Sequence, residues 1–130
     1  MIRLKTKIIY QDFITRKDLR NNPNKVYLFG DNDVRRGMAG QAKEMRGELN
    51  AIGIRVKKFP RMRSEDFYTD KEYKENIRKI NSDLAIIDEA INMEKDIVIP
   101  KAGIGTGLAD LKNKAPKTFA YLQNRLRRLK

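Results

Sequence analysis

Two short apolar runs constrain this chain more than any other feature: VYLF at 26–29 and DIVIP at 96–100. VYLF is uninterrupted and DIVIP nearly so, as expected of strands buried on both faces of a sheet. The first runs directly into GDNDVRRGMAGQA and the second into KAGIGTGLAD, and a helical pattern follows each glycine-rich loop. Strand, loop and helix repeated in this way predict an α/β domain, with helices covering a mixed or mostly parallel sheet. Ligands of such sheets settle outside the carboxyl ends of the strands. Both loops lie at such ends, which makes them the first place to look for function.

The remaining elements fit this frame. Residues 4–10, LKTKIIY, and 52–59, IGIRVKKF, read as further strands, and RNNPNK at 20–25 reads as a turn built on Pro23 and its asparagines. A short helix is expected over 41–49. Ile77, Ile80, Leu84, Ile87 and Ile91 recur at alternating spacings of three and four, placing them on one face of a longer helix. Asp70 is expected to cap the turn before that helix, and Asn92 to lie near its end. Ala115, Thr118, Phe119, Leu122, Leu126 and Leu129 form a second apolar stripe, with Lys and Arg opposite. At 130 residues, with no repeats or low-complexity stretches, the expectation is one domain spanning 1–130.

Composition removes whole classes of chemistry. The chain has no cysteine and no histidine. Thiolate nucleophiles, imidazole bases, Ser-His-Asp triads and Cys/His zinc sites are therefore excluded. No metal motif or cofactor fingerprint is present: no G-K-[ST] follows the glycines, and GIGTGLA misplaces the third glycine of a dinucleotide-binding loop. No apolar run is long enough to span a bilayer, and polar residues interrupt the opening segment, so a cytoplasmic protein without a membrane partner is expected. Twenty-nine basic residues against seventeen acidic give a net charge of +12, which attracts anions or polyanions. The run RVKKFPRMR, with Arg55, Lys57, Lys58, Arg61 and Arg63, reads either as a phosphate-gripping surface or as a solvated face. Phe67, Tyr68 and Tyr73 read either as stacking partners for a base or as core.

In the first loop, Gly37 and Gly40 permit a tight turn just before a helix, whose free N–H groups and dipole favour an anion. In the second, Gly103, Gly105 and Gly107 can expose successive N–H groups as a nest. Two such loops facing each other suit a pyrophosphate; tight turns required by the fold are the plainer alternative.

VYLFGDNDVRRGMAGQAKEMRG and IVIPKAGIGTGLADLKNKAP resemble the two halves of the macrodomain signature, over about 26–122. The second half is the more specific, and the closest likeness is to compact macrodomains that remove terminal ADP-ribose from proteins. The resemblance implies a three-layer macrodomain-like fold that binds ADP-ribose or a related nucleotide diphosphate sugar. It assigns Gly30, Asp31, Asn32, Gly37, Ala39, Gly40 and Gln41 to the first side of the site. Lys101, Gly103, Ile104, Gly105, Thr106, Gly107 and Leu108 fall on the second. In the hydrolases of this group a lysine on the helix after the first loop attacks the ribose, and an aspartate follows the second loop. Here Arg46 stands near the lysine's place with Lys43 one turn earlier, Ala109 takes the aspartate's place, and Asp110 comes one position later. Arginine does not lose its proton to become a nucleophile.

Catalysis, if present, is therefore expected to draw on Asp110, Lys43 or Asn32. Asp110 and the cluster Asp31–Asp33 also suit plain structural roles, as a helix cap and an Asx turn. Three functions remain open: hydrolysis of an ADP-ribosyl bond, sequestration of an ADP-ribose-derived nucleotide, and nucleic-acid binding through the basic surface. The corresponding partners are an ADP-ribose-like nucleotide, an ADP-ribosylated macromolecule and a nucleic acid.

Overall fold

The computed structural model describes residues 6–129. Strand β1 (Ile8–Gln11) is followed by helix α1 (Arg16–Asn21), β2 (Lys25–Asn32), α2 (Gln41–Met45) and β3 (Ala51–Lys57). Two single 3₁₀ turns, Ser64–Asp66 and Asp70–Glu72, lead into α3 (Tyr73–Asn92), then β4 (Asp96–Pro100), α4 (Leu111–Lys114) and α5 (Pro116–Arg127). The four strands form one sheet in the order β1-β4-β2-β3. Every pairing within it is parallel, so the sheet is not mixed. The one antiparallel feature is an isolated bridge between Lys57 and Phe67, outside the four-strand ladder.

The two apolar runs are the two central strands. Their side chains alternate between faces, as the pleat demands. Val26, Leu28, Ile97 and Ile99 pack with Ile80, Leu84, Ile87, Leu122 and Leu126 in the larger core, beneath α3 and α5. Tyr27, Phe29 and Val98 pack on the opposite face with Ile14, Leu19, Ala42 and Met45, beneath α1 and α2. The sheet is thus covered on both faces, which gives three layers.

Several boundaries differ from the sequence reading. Leu4 and Lys5 of the first expected strand lie outside the described residues. Helix α1 was not foreseen, and it takes Arg20 and Asn21 from the expected turn. Its apolar anchor is a single buried leucine, Leu19, too little for a period, and its start is fixed by a reciprocal cap between Thr15 and Asp18. Helix α2 stops at Met45 rather than running to Leu49; Leu49 is fully exposed. Asp70 opens a 3₁₀ turn, but its carboxylate serves α5 instead of α3. One oxygen accepts from Lys117 N–H at 2.8 Å, and the other from Thr118 N–H at 3.1 Å. Pro116 leads that helix, where a missing N–H costs nothing.

A candidate anion cavity between two glycine loops

Because β2 and β4 are hydrogen-bonded neighbours, with Val26 opposite Ile97, the loops leaving them emerge side by side. Between them lies a cavity of about 310 Å³. Gly30, Asp31 and Asn32 at the end of β2 line it, followed by Gly37, Ala39, Gly40 and Gln41 of the first loop. Lys101, Gly103, Gly105, Thr106, Gly107 and Leu108 line the other side. Ile104 does not; it is buried in the larger core and plugs the second loop into it.

The first loop is held by charge. Asp31 is buried, and its carboxylate accepts from both terminal nitrogens of Arg46, at 2.6 and 3.2 Å, and from Arg35 at 3.1 Å. Arg35 continues to Asp83 at 2.7 Å, and Arg55 meets the same buried carboxylate. Arg46 also donates from Nε to the Gly37 carbonyl at 2.9 Å, so the guanidinium ties strand end and loop together. Gly53 on β3 makes room for this cluster: a Cβ there would stand 2.6 Å from Asp31 Oδ2. Asn32 closes an Asx turn, donating from Nδ2 to the Arg36 carbonyl at 2.6 Å while Oδ1 accepts from Val34 N–H at 3.2 Å. Gln41 clasps the backbone of Ile14 through both ends of its amide. Asp33, outside the cavity, accepts from Tyr68 Oη and Lys79 Nζ; burial and this carboxylate push the Tyr68 phenol up.

The second loop is held by backbone and burial. Leu111 N–H donates to the Gly105 carbonyl at 3.0 Å, Asp110 N–H to Gly107 at 3.0 Å, and Thr106 Oγ1 to Ala102 at 2.7 Å. Gly105 is left-handed, with φ +80°, and a Cβ there would press against Leu111 at 3.2 Å and Val56 at 3.4 Å. Among the described residues no acceptor receives the N–H groups of Gly105 through Leu108, nor those of Gly37 through Gly40. Gly105 itself is buried. Buried N–H groups are rarely left orphaned, and Gly105 is the one buried member of the two runs; the others are exposed or half-buried, open to water or to a bound acceptor.

The candidate catalytic groups are placed less favourably. Lys43 is exposed on α2 and does not line the cavity. Asp110 does not line it either: its carboxylate accepts from Asn113 Nδ2 at 2.7 Å, and no side-chain cap forms on α4. Ala109 lines the wall in its stead, and the amide of Asn32 is spent on its turn. The carboxylate that does line the cavity, Asp31, has both oxygens engaged by arginine.

Phe13 and Arg36 are lining residues that escaped the sequence reading, while Lys57 was read only as part of the basic run. Phe13, just past β1, is 64% exposed at the rim, and Arg36 presents a guanidinium with no partner among the described residues. Lys57 is 6% exposed; its Nζ donates to the Arg61 carbonyl and to Met62 Sδ and lies 4.7 Å from the centre of the Phe67 ring. Burial pulls the Lys57 amine below the usual lysine range, against the opposing charge of Asp66. Most of the rest of that basic run is not a free surface: Arg55 pairs with Asp83, Lys58 with Glu72 and Arg61 with Asp66, while Arg63 is exposed and has no ion pair among the described residues. Phe67 and Tyr68 are buried, and Tyr73 lies in a separate depression. Among the described residues no cluster of three or more carboxylates could hold a metal ion, and no helix is long and apolar enough to cross a membrane.

The three-layer domain and its paired loops coincide in extent with one known family. Residues 9–125 match the family of unknown function DUF7831, and the chain belongs to it. No curated protein and no solved structure matches the chain.

Proposed function

We propose that the cavity binds a nucleotide diphosphate sugar of the ADP-ribose type, with the pyrophosphate between Gly37–Gly40 and Gly105–Leu108. The observation that carries this reading is the pair of unpaired N–H runs bordering one cavity. Two facing runs suit the two phosphates of a pyrophosphate, and glycine lets the backbone approach them closely. Arg36 and Lys101 add positive charge at the lips. Phe13 offers an exposed ring for the base.

Binding is the primary function in this reading. No lining carboxylate has a free oxygen to activate water, so the carboxylate route to hydrolysis lacks its base. A catalytic reading rests instead on Lys57, a buried amine in the cavity wall whose proton is easier to lose than that of an ordinary lysine.

Gly107→Val separates site from fold. A Cβ at Gly107 meets nothing within 4 Å, so the variant is expected to melt like the parent while adding a branched side chain at a residue that lines the cavity. Calorimetric titration with ADP-ribose should show at least a tenfold loss in affinity. Unchanged affinity, or no binding by the parent, overturns the proposal. Incubation of the parent with ADP-ribosylated protein and borohydride then decides the chemistry: an adduct on Lys57 establishes the amine route, and none leaves a binder.

A further inference from the structure

We propose that the outer face of α4 and α5 binds a single-stranded nucleic acid, independently of what the cavity holds. No acidic residue follows Asp110 in the sequence, whereas Lys112, Lys114, Lys117, Arg125, Arg127 and Arg128 all do. The positive surplus is therefore local. The basic run at 55–63, which looks like the polyanion surface in the sequence, has most of its charges paired with Asp83, Glu72 and Asp66 or buried at Lys57, leaving Arg63 exposed.

Helix α5 turns its apolar stripe, Thr118, Leu122 and Leu126, into the core. Lys117, Asn124 and Arg128, spaced by seven and four, lie together on the opposite face, with Arg127 beside them. Lys117, Arg127 and Arg128 are exposed, and among the described residues no carboxylate pairs with their side chains. A shallow depression runs along this face, lined by Asp70, Tyr73, Lys117, Ala120, Tyr121 and Asn124. Asp70 is the one acid in it, and both its oxygens already accept from Lys117 N–H, Thr118 N–H and Thr118 Oγ1.

Cations track a phosphate backbone, and tyrosines beside them give unstacked bases a platform. Asn124 adds an amide that can both donate to and accept from base edges. A membrane surface is the poorer occupant. The large exposed apolar side chains lie elsewhere, and none falls between residues 111 and 129, so the face has nothing to insert among lipids.

The test is fluorescence anisotropy of a labelled mixed-sequence 20-mer DNA strand across a salt series. Each neutralised phosphate contributes about −0.7 to the slope of log affinity against log salt. The variant K117Q/R127Q/R128Q should lower affinity at least tenfold and flatten the slope by about 2. The same number of neutralisations at a distance, K17Q/K25Q/K95Q, should change affinity less than threefold. Tyr73→Ala should weaken binding severalfold without altering the slope, since stacking is not an ionic contact. Circular dichroism and melting accompany each variant. Equal losses in the two triple variants would reduce the effect to net charge and overturn the proposal. So would an unaltered affinity in the first variant, tighter binding to the duplex than to the strand, or co-sedimentation with phosphatidylserine vesicles in place of strand binding.

Discussion

The two loops that border the cavity look alike in sequence and are held in opposite ways. The first is fastened by ion pairs between side chains: Arg46 and Arg35 on Asp31, and Arg35 in turn on Asp83, 48 residues away. The second is nearly self-sufficient, with short-range backbone bonds and Ile104 buried beneath it. A glycine-rich loop can thus be shaped by a charge network or by its own backbone, and the glycines alone do not say which. The difference also explains why a buried carboxylate lining a cavity proposed to hold an anion is tolerable here, since Asp31 never stands without its arginines.

Breaking the first loop should cost most. Asp31→Ala leaves Arg46 mostly buried without a counter-charge, and the expected loss is about 4 kcal/mol, read as a lower urea midpoint. A loss under about 1 kcal/mol would mean that the network is incidental and the contrast between the loops false. Gly105→Val strikes the second loop through its backbone. The left-handed conformation and the contact with Leu111 together predict a loss of about 3 kcal/mol, so this variant reports on folding before it reports on binding.

The smallest of these effects concerns the support under the second loop. Asp70 caps α5, the second helix after that loop, and Asp70→Ala should cost about 1 kcal/mol. Burial pushes the Asp70 carboxyl up, but the N–H groups of Lys117 and Thr118 and the Thr118 hydroxyl outweigh it and hold it below the usual range. A carboxylate depressed on folding stabilises fully above its unfolded value and loses that contribution as pH falls through the folded one. The melting gap between parent and Asp70→Ala should therefore be constant near neutrality and close below about pH 4. A gap that persists in acid would assign the stability to packing rather than to the cap.

What the sequence made legible follows from how local each determinant is. VYLF and DIVIP identified the central strands because burial on both faces leaves a contiguous apolar signature. The stripes of α3 and α5 were equally plain, being one-sided and long. The two loops could be paired in advance because both follow such strands. Hidden were the features that depend on a partner far along the chain. Nothing near Arg46 announces Asp31, and nothing near Asp70 announces Lys117. Helix α1 was hidden for another reason: six residues with one apolar anchor give no periodicity to detect. Its Thr15-x-x-Asp18 start was the available clue, a variant of the usual box with aspartate in the third place.

Gly53 carries a lesson for anyone engineering this protein. It sits inside β3, paired with Phe29, in a position where consensus or propensity scoring would recommend valine or isoleucine. Such a change would thrust carbon into the space held by Asp31 and within 3.1 Å of the Arg35 guanidinium. A routine strand-stabilising substitution would thus disassemble an ion network on the neighbouring strand, and thermostabilisation of this scaffold should leave that one position alone.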